Sequence, residues 1–264
     1  MKESNILRHK WFLYATGFFS GMSVMAIELG ASRLLAPYFS SSQIVWTVII
    51  GTIMIAMAIG NVWGGRAADK NPDPRRLYGR LLLVAIWTAL IPFLGKYVIA
   101  GITVALALVV TKNFLVWASF AACIVLFVFP LMLLGTVTPS LIKYATASLE
   151  DNGRTVGELE ALGTIGSIIG TFTPTFITIP TLGTARTFLL FAAILAVLSG
   201  LYFLFGGGKR RVVRTVLAAL VIVAAFLPVS DSFAFWEDDL TYEGESIYNY
   251  LQVRETDRSV ILST

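Results

Sequence analysis

Glu28 is the first residue in this sequence whose type and setting could do chemistry. An uncharged apolar run opens at Trp11, and Glu28 is its first charge, heading Glu28-Leu29-Gly30-Ala31-Ser32-Arg33-Leu34-Leu35-Ala36-Pro37-Tyr38-Phe39. At about 1.5 Å per residue the run makes roughly 25 Å of helix, so the carboxyl falls toward the far side of a bilayer core. A carboxyl at that depth costs on the order of 3 kcal/mol, and such a residue is either functional or hydrogen-bonded between helices. Arg33 is close in sequence, but about 500° of helix separates the two, so they point to different faces; Ser32 shares the Glu28 face. Glu28 must then find a cation elsewhere, carry a proton, or face a wet cavity. An anion of this kind suits an organic cation, which makes Glu28, Ser32 and Arg33 candidate binding residues.

A second pair of carboxylates opens the stretch Gly157-Glu158-Leu159-Glu160-Ala161-Leu162-Gly163-Thr164-Ile165-Gly166-Ser167-Ile168-Ile169-Gly170-Thr171. Glu158 and Glu160 sit at a helix start, where the dipole favours negative charge. About 200° apart, they cannot both face one cavity. Gly166 and Gly170 form a small-xxx-small pair that lets another helix approach closely. Pro174 and Pro180 are expected to bend or end this helix, with Thr171, Thr173 and Thr175 available to freed carbonyls. Pro139, within Gly135-Thr136-Val137-Thr138-Pro139-Ser140, is expected to act alike; broken helices at membrane depth are where transporters place substrates and also occur in inert bundles.

The elements that must position these residues are apolar segments near Trp11–Ala36, Ile44–Gly64, Leu77–Leu94, Phe114–Leu141, Val156–Ile179, Thr187–Phe205 and Val212–Leu227. The run Val98–Val110 extends the third helix, lies at the interface, or crosses as an eighth. With seven crossings, fourteen of the twenty basic residues fall on one side; an eighth weakens the bias to twelve against eight. The positive-inside rule therefore favours seven helices in the cytoplasmic (inner) membrane, with a cytoplasmic amino terminus and an extracytoplasmic tail. Residues 1–230 form the membrane domain, and 231–264 an acidic, aromatic linker followed by a β-hairpin. Ser246–Val253 and Ser259–Leu262 are its expected strands, with a turn over Glu255–Arg258. A two-stranded hairpin alone is marginal in water, so the chain reads as stopping at the threshold of a further domain.

Composition agrees with this fold class, an all-α polytopic bundle with a C-terminal β-hairpin fragment. Of 264 residues 56% are hydrophobic and 14% charged, against about 25% charged in a soluble domain. The net charge of +4 lies in short loops and reads as topology, not nucleic-acid binding. Cys123 reads as a buried core side chain and His9 as part of a basic tail. There is no Ser/His/Asp set, no cluster of metal ligands and no glycine-rich loop between strand and soluble helix, so no complete catalytic site is expected. The lipid bilayer is the first expected partner and a homodimer the second.

Two resemblances add to this. Gly65-x-x-x-Asp69-Lys70 resembles the loop signature of major facilitator transporters, in which the glycine lets helices approach and the carboxylate caps a helix start and pairs with arginine; Pro72-Asp73-Pro74 departs from it. Taken in order, the Glu28–Phe39 stretch, Gly64–Asp69, Leu134–Pro139 and Gly163–Thr171 resemble the membrane portion of proteins that fuse a major-facilitator-like bundle to a spermidine-synthase-like domain, which implies a half-facilitator-like bundle here. Tyr248-Asn249-Tyr250-Leu251-Gln252-Val253 resembles the opening strand of the aminopropyltransferase fold. That likeness implies a polyamine connection, makes Tyr248 and Gln252 candidate cleft residues, and implies decarboxylated S-adenosylmethionine only for a complete domain further on. A tail outside the cell conflicts with synthesis there; either the crossing count differs or the soluble part binds polyamines without making them.

Overall fold

Long apolar runs fold as helices because, in lipid, only a helix or a closed barrel satisfies every backbone group internally. The computed structural model describes residues 10–39, 42–110, 112–146, 152–206, 211–229, 240–246, 250–256 and 259–263. Its first three helices are α1 (Lys10–Phe39), α2 (Gln43–Lys70) and α3 (Pro74–Ala107). Short polar connections separate them, and the Asp73 side chain caps the start of α3 by accepting from Arg75 N at 3.0 Å. At 34 residues, α3 absorbs most of the Val98–Val110 run, which settles that segment as an extension of the third helix.

The fourth rod is α4 (Phe114–Cys123), a π-helical turn (Ile124–Val128), α5 (Phe129–Gly135) and, past a break at Thr136, α6 (Val137–Ala145). The fifth is α7 (Asn152–Thr173), a second π-helical turn (Pro174–Thr178) and α8 (Ile179–Gly206). Gly183, at φ 86° and ψ 164°, bends α8 near its start; that backbone is open only to glycine. Among the described residues five helices are long and apolar enough to cross a membrane, the last of them running Gly153–Phe205 through that bend. Seven spans are not reached as drawn from the sequence. The seventh segment is the 14-residue helix α9 (Arg211–Ala224), only about 21 Å long.

The core lies among α1, α2, α3, α4–α6 and α8. At its amino-terminal end the wholly buried Tyr78 of α3 stacks on Phe12 of α1 at 5.4 Å and on Tyr202 of α8 at 4.2 Å. Its hydroxyl lies 3.0 Å from Thr16 Oγ1, so a ring of this size is buried with its polar tip satisfied.

The tail departs from the expected hairpin. It is a three-stranded antiparallel sheet in the order β1 (Leu240–Glu245), β2 (Tyr250–Thr256), β3 (Ser259–Ser263). The extra strand comes from residues that read as linker, and β2 starts later than the expected Ser246. Cross-strand partners Glu243↔Gln252 and Glu245↔Tyr250 supply the reason: β1 pairs along the whole free edge of β2.

Candidate functional site

Glu28 is half-buried on α1 and has no hydrogen bond or ion pair among the described residues. Glu28 lies within electrostatic reach of the wholly buried Cys123 of α4, and α4 packs against both α1 and α2. Glu28 thus belongs to the meeting of α1, α2 and α4. Parallel helices α1 and α3 are held in register by Thr16 against Tyr78 and, further along, by Leu34 over Gly95. That register sets Thr88 at the height of Ala26 and Ile27, within a turn of Glu28, and Thr88 Oγ1 is buried with no partner among the described residues. Both π-helical turns adjoin this level. One follows Cys123 directly; the other begins at Pro174, one turn beyond the contact of Gly170 with Met22. Widened turns of this type recur at functional sites.

The other expected site residues divide among three places. Ser32 shares the face of Glu28 but spends its hydroxyl on the Leu29 carbonyl at 2.8 Å. Arg33, one and a half turns further out, lies within electrostatic reach of Glu245 of β1. Glu158 is at the opposite end of the bundle, where it accepts from Tyr14 Oη at 2.5 Å and from Arg154 Nε at 2.7 Å. Tyr14 precedes Glu28 by fourteen residues, roughly 21 Å of helix, so Glu28 and Glu158 form no common ligand set. Glu160 is exposed.

The glycines act within the chain. A Cβ on Gly166 or Gly170 would collide with the backbone of Phe18 or Met22, so these two positions let α7 lie directly on α1. At the second loop the close approach belongs to Gly64, where a Cβ would sit 2.6 Å from Thr136 Cα; Gly65 has ordinary room beside Pro139. Asp69 pairs with Lys143 of α6 at 2.9 Å instead of an arginine, and Asp73 takes the capping role. Pro139 falls three residues into α6, just past the break, and Pro174 opens the second π-helical turn.

The sheet meets the bundle at the bend in α8. Glu245 accepts from Thr184 N at 2.5 Å and from Thr184 Oγ1 at 2.6 Å. Two residues away on the same face of β1, Glu243 accepts from Tyr250 Oη, which in turn accepts from Gln252 Nε2 at 3.0 Å. Burial, then the hydrogen bond to Glu243, push the Tyr250 phenol up. A cavity of about 300 Å³ opens here, lined by Pro180, Gly183, Arg186, Glu243, Glu245 and Tyr250 among others. Gln252 donates to Tyr250 but is not among the residues lining this cavity, and Tyr248 lies outside the described residues. Sequence reasoning missed Glu243, Glu245 and Thr184. The signal was the period-two pattern Glu243-x-Glu245 facing Tyr250-x-Gln252, obscured by the acidic run before it.

Over 55 residues, 21% of this chain, the sequence is 46% identical to a probable polyamine aminopropyl transferase of Bifidobacterium longum (strain NCC 2705). The match spans 12% of that protein's length. No family model matches the chain, and no solved structure does.

Proposed function

We propose that this chain is the membrane-embedded part of a spermidine-synthase-like protein and that it binds a polyamine or similar organic cation at Glu28. The observation that carries the reading is a half-buried carboxylate, inside an apolar bundle, without a cation or donor among the described residues. An intramembrane anion is costly unless something compensates it. The Thr88 hydroxyl, within a turn of that height and without a partner among the described residues, and the two π-helical turns beside it support the reading. The partial likeness to a probable polyamine aminopropyl transferase supports a polyamine as the class of cation. Equilibrium dialysis of spermidine against the purified chain and against Glu28→Gln decides it. Binding that the substitution abolishes supports the site; equal affinity in both proteins, or none in either, ends it.

A second reading has the bundle as anchor and platform for an aminopropyltransferase, and the grip of Glu245 on Thr184 favours it by tying the sheet to α8. On that reading, exchanging the helices for an unrelated anchor in the longer protein leaves aminopropyl transfer unchanged. In both readings the amino terminus is cytoplasmic, and labelling of single cysteines placed in the loops tests that orientation.

A further inference from the structure

We propose that the seam between α1 and α7 is a binding site for an anionic glycerophospholipid. A cavity of about 760 Å³ runs along it, lined by Lys10, Tyr14, Arg154, Glu158, Leu162 and Ile165 among others. Its composition changes along its length. Lys10 is the first residue of α1 and Arg154 the third of α7, so among the described lining residues two cations stand at one end against the carboxylate of Glu158. Ala161, Leu162 and Ile165 make the other end apolar, and Ile165 is 47% exposed there. From Arg154 to Ile165 the groove covers roughly 16 Å of helix axis. Beside Lys10, Trp11 is 60% exposed, the placement of an aromatic at a membrane–water boundary. A net positive pocket at headgroup height, continued by an apolar channel along the helices, fits a phosphate with an acyl chain attached. The hydrogen bond from Tyr14 of α1 to Glu158 spans the two helices, and with the bond from Arg154 within α7 it keeps the carboxylate turned to protein donors. This site is independent of Glu28, which lies far along α1.

The test uses the purified chain in neutral detergent, titrated with dioleoyl phosphatidylglycerol or dioleoyl phosphatidylcholine and read by native mass spectrometry. Phosphatidylglycerol is expected to stay bound where phosphatidylcholine does not, and millimolar inorganic phosphate is expected not to displace it. Lys10→Gln should weaken retention about fivefold, the worth of one basic residue at a membrane surface. Ile165→Trp, which fills the apolar end, should remove it. Both side chains are exposed, so both variants are expected to fold, with ellipticity at 222 nm as the check. Equal retention of the two lipids by the unmodified chain overturns the proposal, whatever the variants do. Displacement by phosphate alone overturns the lipid assignment, and unchanged retention in both variants overturns the location.

Discussion

Glu245 of β1 holds Thr184 of α8 with both carboxylate oxygens, one on the backbone N–H and one on the hydroxyl. Thr184 directly follows Gly183, whose backbone breaks the helix and leaves that N–H without a helical acceptor. The carboxylate supplies what the bend removes. Substituting Glu245→Ala should cost about 2 kcal/mol of docking between sheet and bundle, the usual worth of hydrogen bonds to a charged group. Hydrogen exchange at the Thr184 amide reads it: protection falls roughly thirtyfold while helix content stays unchanged.

Gly183 itself offers a second measurement. At φ 86° and ψ 164° any residue with a Cβ is strained, by about 1–3 kcal/mol. Gly183→Ala should lower the thermal midpoint and also loosen Thr184, because the bend and the grip share one backbone.

The glycines of α7 should behave oppositely to one another. Gly170→Ala forces α7 off Met22 and should destabilise by about 1–3 kcal/mol. Gly163→Ala places its new methyl in open space, so better helix propensity should leave stability equal or higher. Thermal unfolding of the two variants in one detergent separates them.

Tyr250 predicts a pH dependence. Burial and Glu243 raise its phenol above the unfolded value of about 10. A raised pKa means that the neutral form is the one the fold favours. Its contribution is therefore complete below about pH 10 and declines as pH rises through the folded value. Tyr250→Phe should remove that decline, read as the pH profile of exchange in β2.

The helices were legible because a lipid-facing rod needs a long uncharged run, and Phe114–Leu141 or Thr187–Phe205 can hardly be anything else. Pro139 falls just past the break at Thr136, whereas Pro174 opens a π-helical turn and the bend of that rod lies at Gly183. The polar pairs were not legible, since each joins distant parts of the chain: Tyr14 to Glu158, Thr184 to Glu245, Asp69 to Lys143. Nor was β1, because Glu243 and Glu245 continue an acidic stretch that reads as solvated. Glu28 was legible as an anomaly, and its lack of a partner among the described residues is a property only of the packed bundle. The choice between Gly64 and Gly65 needed the position of Thr136, which no spacing rule supplies.

The three-ring stack of Phe12, Tyr78 and Tyr202 has a consequence for biosynthesis. Its central ring belongs to an early helix and one outer ring to a late one, so that end of the assembly cannot close until the ribosome has released α8. Until then Tyr78 has Phe12 and Thr16 of α1 but not the third ring, and a nascent chain halted before α8 presents half a clasp.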